Sequence, residues 1–186
     1  MIARFMIHAA FGALTLCATL PAATADARPS PRLRATAGAV QKHLGIYLTT
    51  APLRDTAERI RLQQKDIEIW FLRPVKPAQR TQALCEGARW LLTGRLAETT
   101  GVGAFFADRS ELDQVTLVFY DMVTSLEMQR SGKYDQKRTP TPDMRFTISR
   151  EKAAALDPVA LSNTLTGRRC ESVARSVLDA VWIRGE

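Results

Sequence analysis

Few side chains in this sequence are equipped for chemistry, and their types and spacing narrow what that chemistry could be. Beyond the first 25 residues there is one histidine, His43, and there are two cysteines, Cys85 and Cys170. A nucleophile activated by imidazole would have to use His43 as its base, and no Gly-x-Ser-x-Gly turn of the kind that presents a catalytic serine occurs anywhere. His43 lies in a poorly patterned stretch and reads as a surface or capping residue. A zinc site of the His-rich type lacks ligands. Gly101-Val102-Gly103 does not continue into a phosphate-binding loop, because Phe106 stands where the next glycine would be needed and no Gly-Lys-Ser/Thr follows. It reads as a turn. Asp108, Glu111 and Asp113 are not spaced as an EF-hand, so they read as a solvated acidic loop. No metal or cofactor is expected.

Two groupings remain. Asp121, Glu127 and Asp135 surround a predicted hairpin, and two carboxylates suffice for glycoside hydrolysis, although nothing in the sequence encloses them. The stretch Arg130 to Arg138 (RSGKYDQKR) gathers Arg130, Lys133, Lys137 and Arg138 around Tyr134. This is the candidate binding surface, suited to an anionic or sugar-bearing ligand. The plainer reading is a hairpin tip kept soluble by its charge.

The N-terminus bears on where such a surface would act. Arg4, an apolar run from Phe5 to Leu20 and the small-x-small sequence Ala23-Thr24-Ala25 match a secretory signal peptide, residues 1–25, cleaved after Ala25. The apolar run is shorter than the roughly 20 residues that span a bilayer. Lipidation at Cys17 is disfavoured by Leu16 before it. The net charge of +7 invites an anionic partner, but arginine far outnumbers lysine and Asn163 is the lone asparagine, a skew that a GC-rich coding sequence also produces. Asn163 is not part of a glycosylation sequon. Together these predict a bacterial periplasmic or secreted protein with no nucleic-acid role and no transmembrane span after cleavage. In that compartment Cys85 and Cys170 are expected to form a disulfide closing a loop of about 85 residues, worth roughly 4 to 5 kcal/mol by chain entropy.

The elements that must hold these residues follow from periodicity. Asp26 to Gly38, rich in proline and arginine, reads as a disordered basic leader, leaving residues 39–186 as a single α+β domain. Val40 to Thr50 is ambiguous between helix and strand. Arg59–Gln63 and Asp66–Leu72 alternate with period two and predict a hairpin. Pro77 begins a helix whose stripe runs through Leu84, Cys85, Ala88, Leu91, Leu92 and Leu96. Val115 to Tyr120 is a central strand apolar on nearly every position, and Val123 to Gln129 extends or partners it. Ser131-Gly132 marks a turn, Lys133 to Asp143 reads as a long basic connection, and Met144 to Ile148 resumes alternation. Asp157-Pro158 starts a short helix, and Val173, Ala174, Val177, Leu178, Val181 and Trp182 predict a final helix from Cys170 to the end. Each cysteine opens a Cys-Glu pair on a helix after a hairpin, a faint echo of two ββα halves. The expected fold is α+β: a mainly antiparallel sheet of four or five strands with two principal helices on one face, disulfide-linked. The expected function is an exported, non-catalytic binding or assembly module in the periplasm or envelope. Its partner would be an anionic envelope component or another envelope protein. The alternative is a carboxylate-dependent envelope hydrolase acting on glycans. A subunit that docks through Trp70 or Trp90 is a third reading.

Overall fold

A computed structural model describes residues 30–47, 58–129 and 131–186. The expected signal peptide, the first residues of the leader and Arg130 lie outside the described residues. The fold is built on a five-stranded mixed sheet in the order β1-β2-β3-β4-β5. Its strands are β1 (Glu58–Gln63), β2 (Asp66–Leu72), β3 (Gln114–Met128), β4 (Tyr134–Ser149) and β5 (Ala180–Ile183). Three pairings are antiparallel, while β2 and β3 run parallel. Parallel neighbours need a crossover, and α2 (Arg80–Thr93) with α3 (Gly101–Asp108) supplies it. The remaining helices are α1 (Pro31–Leu44), α4 (Arg150–Ala154), α5 (Pro158–Thr164) and α6 (Cys170–Val177).

Alternation sorts the sheet residues. Ile67 and Ile69 of β2, Val115, Leu117 and Phe119 of β3, and Phe146 and Ile148 of β4 enter one core with Val40, Leu84, Leu91, Phe105 and Ala174 from the helices. On the opposite face Trp70, Val118 and Tyr120 are also buried, with Met122 against them. β3 is therefore central and enclosed on both faces, as its unbroken apolar run predicts. Trp70 is held between two cations, with the Arg61 guanidinium 4.0 Å and that of Arg145 5.7 Å from its ring centre. Glu68 accepts from the Trp70 indole at 2.8 Å and from Arg145 at 2.7 Å. Trp90 packs edge-on against Phe71 and Phe119. Both tryptophans are buried, so neither offers the docking surface expected of them.

Cys85 of α2 and Cys170 of α6 are bonded, with Cα atoms 5.6 Å apart. Their helices meet because α2 also comes very close to β4. A Cβ on Gly87 would lie 2.3 Å from the Phe146 ring, so only glycine lets the helix sit at this depth.

Four expectations change. Residues 31–38, assigned to a disordered leader, belong to α1, which starts with Ser30 accepting from the Leu33 amide and Pro31 in the first turn. Its buried stripe is made of Thr36, Ala37, Ala39, Val40, His43 and Leu44, too small and polar at its start to stand out in hydropathy. Gly101-Val102-Gly103 begins α3 rather than forming a turn that breaks the chain. Gly101, at φ +78°, makes the left-handed step into it, where a Cβ would strike the Leu92 carbonyl. Most of the segment 133–143 is not a connection but the outer half of β4, with residues 134–142 paired one by one with β3 from Pro142 opposite Tyr120 to Tyr134 opposite Met128. Pro140 and Pro142 have the same parity, so both missing N–H groups fall on one edge, and a continuous ladder to β3 requires that edge to be the outer one. The predicted final helix stops at Val177, and β5 follows. Val181 and Ile183 reach the main core with period two rather than helical spacing, and the Asp179 amide donates to the Thr147 carbonyl at 2.9 Å to start the pairing with β4. The strand order β1-β2-β3-β4 also rules out a twofold between two ββα halves, which would place β2 beside β4 or β1 beside β3.

Two changes test this packing. Replacing both Cys85 and Cys170 by serine should lower unfolding free energy by about 4 kcal/mol, within the range expected for so long a loop, read as a shift in urea midpoint. Gly87→Ala should cost roughly 1 to 3 kcal/mol through overpacking against Phe146, although alanine is ordinarily the better helix former. A neutral or stabilising result would contradict the close approach.

Candidate functional site

β3 and β4 outrun the rest of the sheet. β2 ends at Leu72 opposite Tyr120, and β5 pairs only with Met144 to Thr147. Beyond these limits, among the described residues, β3 and β4 pair only with each other and form a two-stranded arm from Asp121 to Thr141. Its tip is a tight turn in which the Gly132 amide donates to the Gln129 carbonyl at 2.9 Å, with Gly132 at φ +76°. A register shift at Phe119/Tyr120 marks where the arm leaves the body. Asp143 sits at this shift, nearly buried, accepting from the Val75 amide at 3.0 Å and pairing with Arg184 at 3.2 Å.

The register assigns every arm residue to a face. Leu126 lies opposite Gln136, Met128 opposite Tyr134 and Thr124 opposite Arg138, all on the face that carries Trp70 and Tyr120. Ser125 opposite Lys137 and Glu127 opposite Asp135 take the other face. Leu126, Met128 and Tyr134 are 64%, 69% and 68% exposed, large apolar groups in solvent on one side of the ribbon. Apart from Val123 the other side is polar, with the Lys137 ammonium 2.9 Å from Glu127 and the Gln129 amide donating to Asp135 at 3.1 Å.

The expected binding residues are therefore divided. Tyr134 and Arg138 share the apolar face, Lys137 is turned away and ion-paired, and Lys133 belongs to the turn. Sequence reasoning found the tip but missed Leu126 and Met128, whose alternation with Ser125 and Glu127 was the available signal. The three carboxylates do not converge on a cleft. Asp121 accepts from the Met122 amide at the base of the arm, and Glu127 and Asp135 stand on its exposed polar face. Among the described residues, no group of three or more His, Cys, Asp or Glu side chains could hold a metal ion.

A second cluster lies at the helical end. His43, in the last turn of α1, is buried rather than on the surface. Its Nδ1 is 2.7 Å from the Thr100 hydroxyl and its Nε2 is 2.9 Å from Asp108 Oδ2, so it spans both ends of α3. Lys42 reaches the same carboxylate at 3.4 Å. Arg150 secures the C-terminal end of α3, donating to the carbonyls of Phe106 at 2.8 Å, Arg109 at 2.9 Å and Leu112. Hydrogen bonds from His43 and then Lys42 hold the Asp108 carboxyl below its ordinary value of 3.8. Thr100 also faces a cleft of about 670 Å³ between α2 and α5. Nothing in the sequence joins residues 43, 100 and 108 except the chain reversals that bring α1 against α3.

No protein-family model, no curated protein and no solved structure matches this chain.

A depressed carboxylate pKa stabilises the fold above the ordinary value, and the contribution is lost as pH falls through the lowered folded value. Asp108→Asn should therefore lose stability relative to the parent at neutral pH. That difference should shrink below about pH 3.8, as measured by urea midpoints between neutral and strongly acidic pH. A difference that widened in acid would contradict the assignment.

Proposed function

We propose that the protein is an exported binding or assembly module and that its contact element is the β3–β4 arm. One observation carries the reading: a free-standing ribbon exposes Leu126, Met128 and Tyr134 on a single face. Large apolar side chains aligned on one face of a projecting element mark an interaction surface more than scattered single ones do. Each is worth about 1.5 to 3 kcal/mol when fully buried. Arg138 borders them on the same face. A protein partner in the envelope is favoured over an anionic polymer, because Lys137, central to the basic stretch, is matched by Glu127 and points away from the apolar face. The Cys85–Cys170 bond supports export to an oxidising compartment. Among the described residues no helix is long and apolar enough to cross a membrane.

A photo-crosslinking amino acid placed at Leu126 or Tyr134 should give discrete adducts in intact envelope, while the same group at exposed Ser172 of α6 should give none. Leu126→Asp combined with Tyr134→Ser should abolish the adduct from a probe at Met128. Lys133→Glu should weaken it only slightly. Adducts of equal yield from Ser172, or survival of the adduct in the double variant, would remove the arm from the contact.

A further inference from the structure

We propose that Thr100, His43 and Asp108 form a nucleophilic site that cleaves carboxylic esters admitted to the cleft between α2 and α5, an activity separate from the arm. The hydrogen-bond chemistry sets the direction of proton flow. The ionised carboxylate of Asp108 can only accept, so the Nε2 atom 2.9 Å from it carries the hydrogen. In the neutral ring Nδ1 then presents a lone pair, and the partner 2.7 Å away is the Thr100 hydroxyl, which must donate. A hydroxyl donating to an imidazole whose other nitrogen is oriented by a carboxylate is the arrangement that activates an alcohol for acyl transfer.

Placement agrees with this role. Thr100 is the residue before α3, where a threonine ordinarily caps the helix amides with its own oxygen. Here the hydroxyl makes no such cap bond and is engaged by His43 instead. His43 is buried behind it, and Thr100 is exposed and lines the cleft. The first-turn amides of α3 begin at the next residue and lack carbonyl partners within their own helix. They are donors of the kind that stabilise an oxyanion, beside the positive end of the helix dipole. Leu96, Pro158 and Val159 give the cleft apolar walls for a short acyl chain, and Arg89 contributes a cation at its margin.

In the reaction, the Thr100 oxygen bonds to the ester carbonyl carbon as its proton passes to His43 Nδ1. The bond from that carbon to the alkoxy oxygen then breaks, and the departing oxygen takes the proton from His43 and leaves as an alcohol. Water attacks the acyl-threonine by the same route in reverse, releasing a carboxylic acid and restoring the hydroxyl. No oxidant or metal is required. The charged groups facing the imidazole and its carboxylate are Asp108 itself and Lys42.

The experiment uses the full chain with p-nitrophenyl acetate and p-nitrophenyl butyrate. Saturable p-nitrophenol release is expected, faster from butyrate. Thr100→Val, which keeps the shape and removes the hydroxyl, should reduce kcat by about a hundredfold or more. Thr100→Ser should retain it within about tenfold, and His43→Gln should lose it. A dialkyl p-nitrophenyl phosphate should label Thr100, detected by peptide mass. If these three residues serve only to tie α1 to α3, Thr100→Val will lower the melting temperature without changing ester turnover, and no label will appear on residue 100. Either that result or turnover no faster than free imidazole overturns the proposal. Because Thr100 is exposed, its valine variant tests the chemistry even if His43→Gln fails to fold.

Discussion

The arrangement depends on β3 more than on any other element, because one strand serves two solvents. From Val115 to Tyr120 its side chains are buried on both faces, so the hydrophobic effect fixes its register against β2 and β4 without ambiguity: a one-residue slip would exchange Leu117 and Phe119 for Thr116 and Val118 throughout the core. From Asp121 onward the same strand continues into water and, among the described residues, is held by its ladder to β4 alone. An isolated two-stranded ribbon is marginal in water. This one is aligned by a buried stem, and the register set inside the domain, together with the one-residue shift at Phe119/Tyr120, determines which arm residues share a face outside it. The exposed position of Leu126, Met128 and Tyr134 is thus a consequence of packing around Phe119 and Phe146.

The helical layer is organised around α3 in a comparable way. This helix is eight residues long, too short to be stable by its own hydrogen bonds, and its two ends are engaged by groups from elsewhere. His43 from α1 contacts both ends, Arg150 collects the C-terminal carbonyls, and Phe105 and Phe106 bury the central part. The disulfide ties α2 to α6 on the far side of the same layer. Polar contacts and the covalent bond therefore fix a layer in which several helices have only one or two turns.

Much of this was legible in the residues. Both hairpin strands before Pro74, the central strand and the Asp157 cap were visible because each rests on a local signal, alternation or a capping side chain. The Cys85–Cys170 bond was legible because compartment and parity constrain two cysteines more tightly than geometry does. Where reading failed, the cause was nonlocal. Pro140 and Pro142 look like breakers unless it is known that one edge of β4 has no neighbour there. Val181 fits a helical stripe equally well until β4 offers it an edge. The arm tip was found from charge, yet charge did not reveal that Lys137 and Tyr134 would face opposite ways. His43 was dismissed because its partners lie 57 and 65 residues away, a juxtaposition that no spacing rule encodes.

The two prolines on the outer edge of β4 have a consequence for assembly. A ribbon with two open edges can take a strand on each side and grow without limit. Here Pro140 and Pro142 remove two outward donors near the base of the arm on the β4 side. A strand added along that edge would lose two ladder bonds at the base of the arm, which makes the β3 edge the better template for pairing. The arm therefore presents apolar side chains to solvent while one of its two edges resists extension at its base.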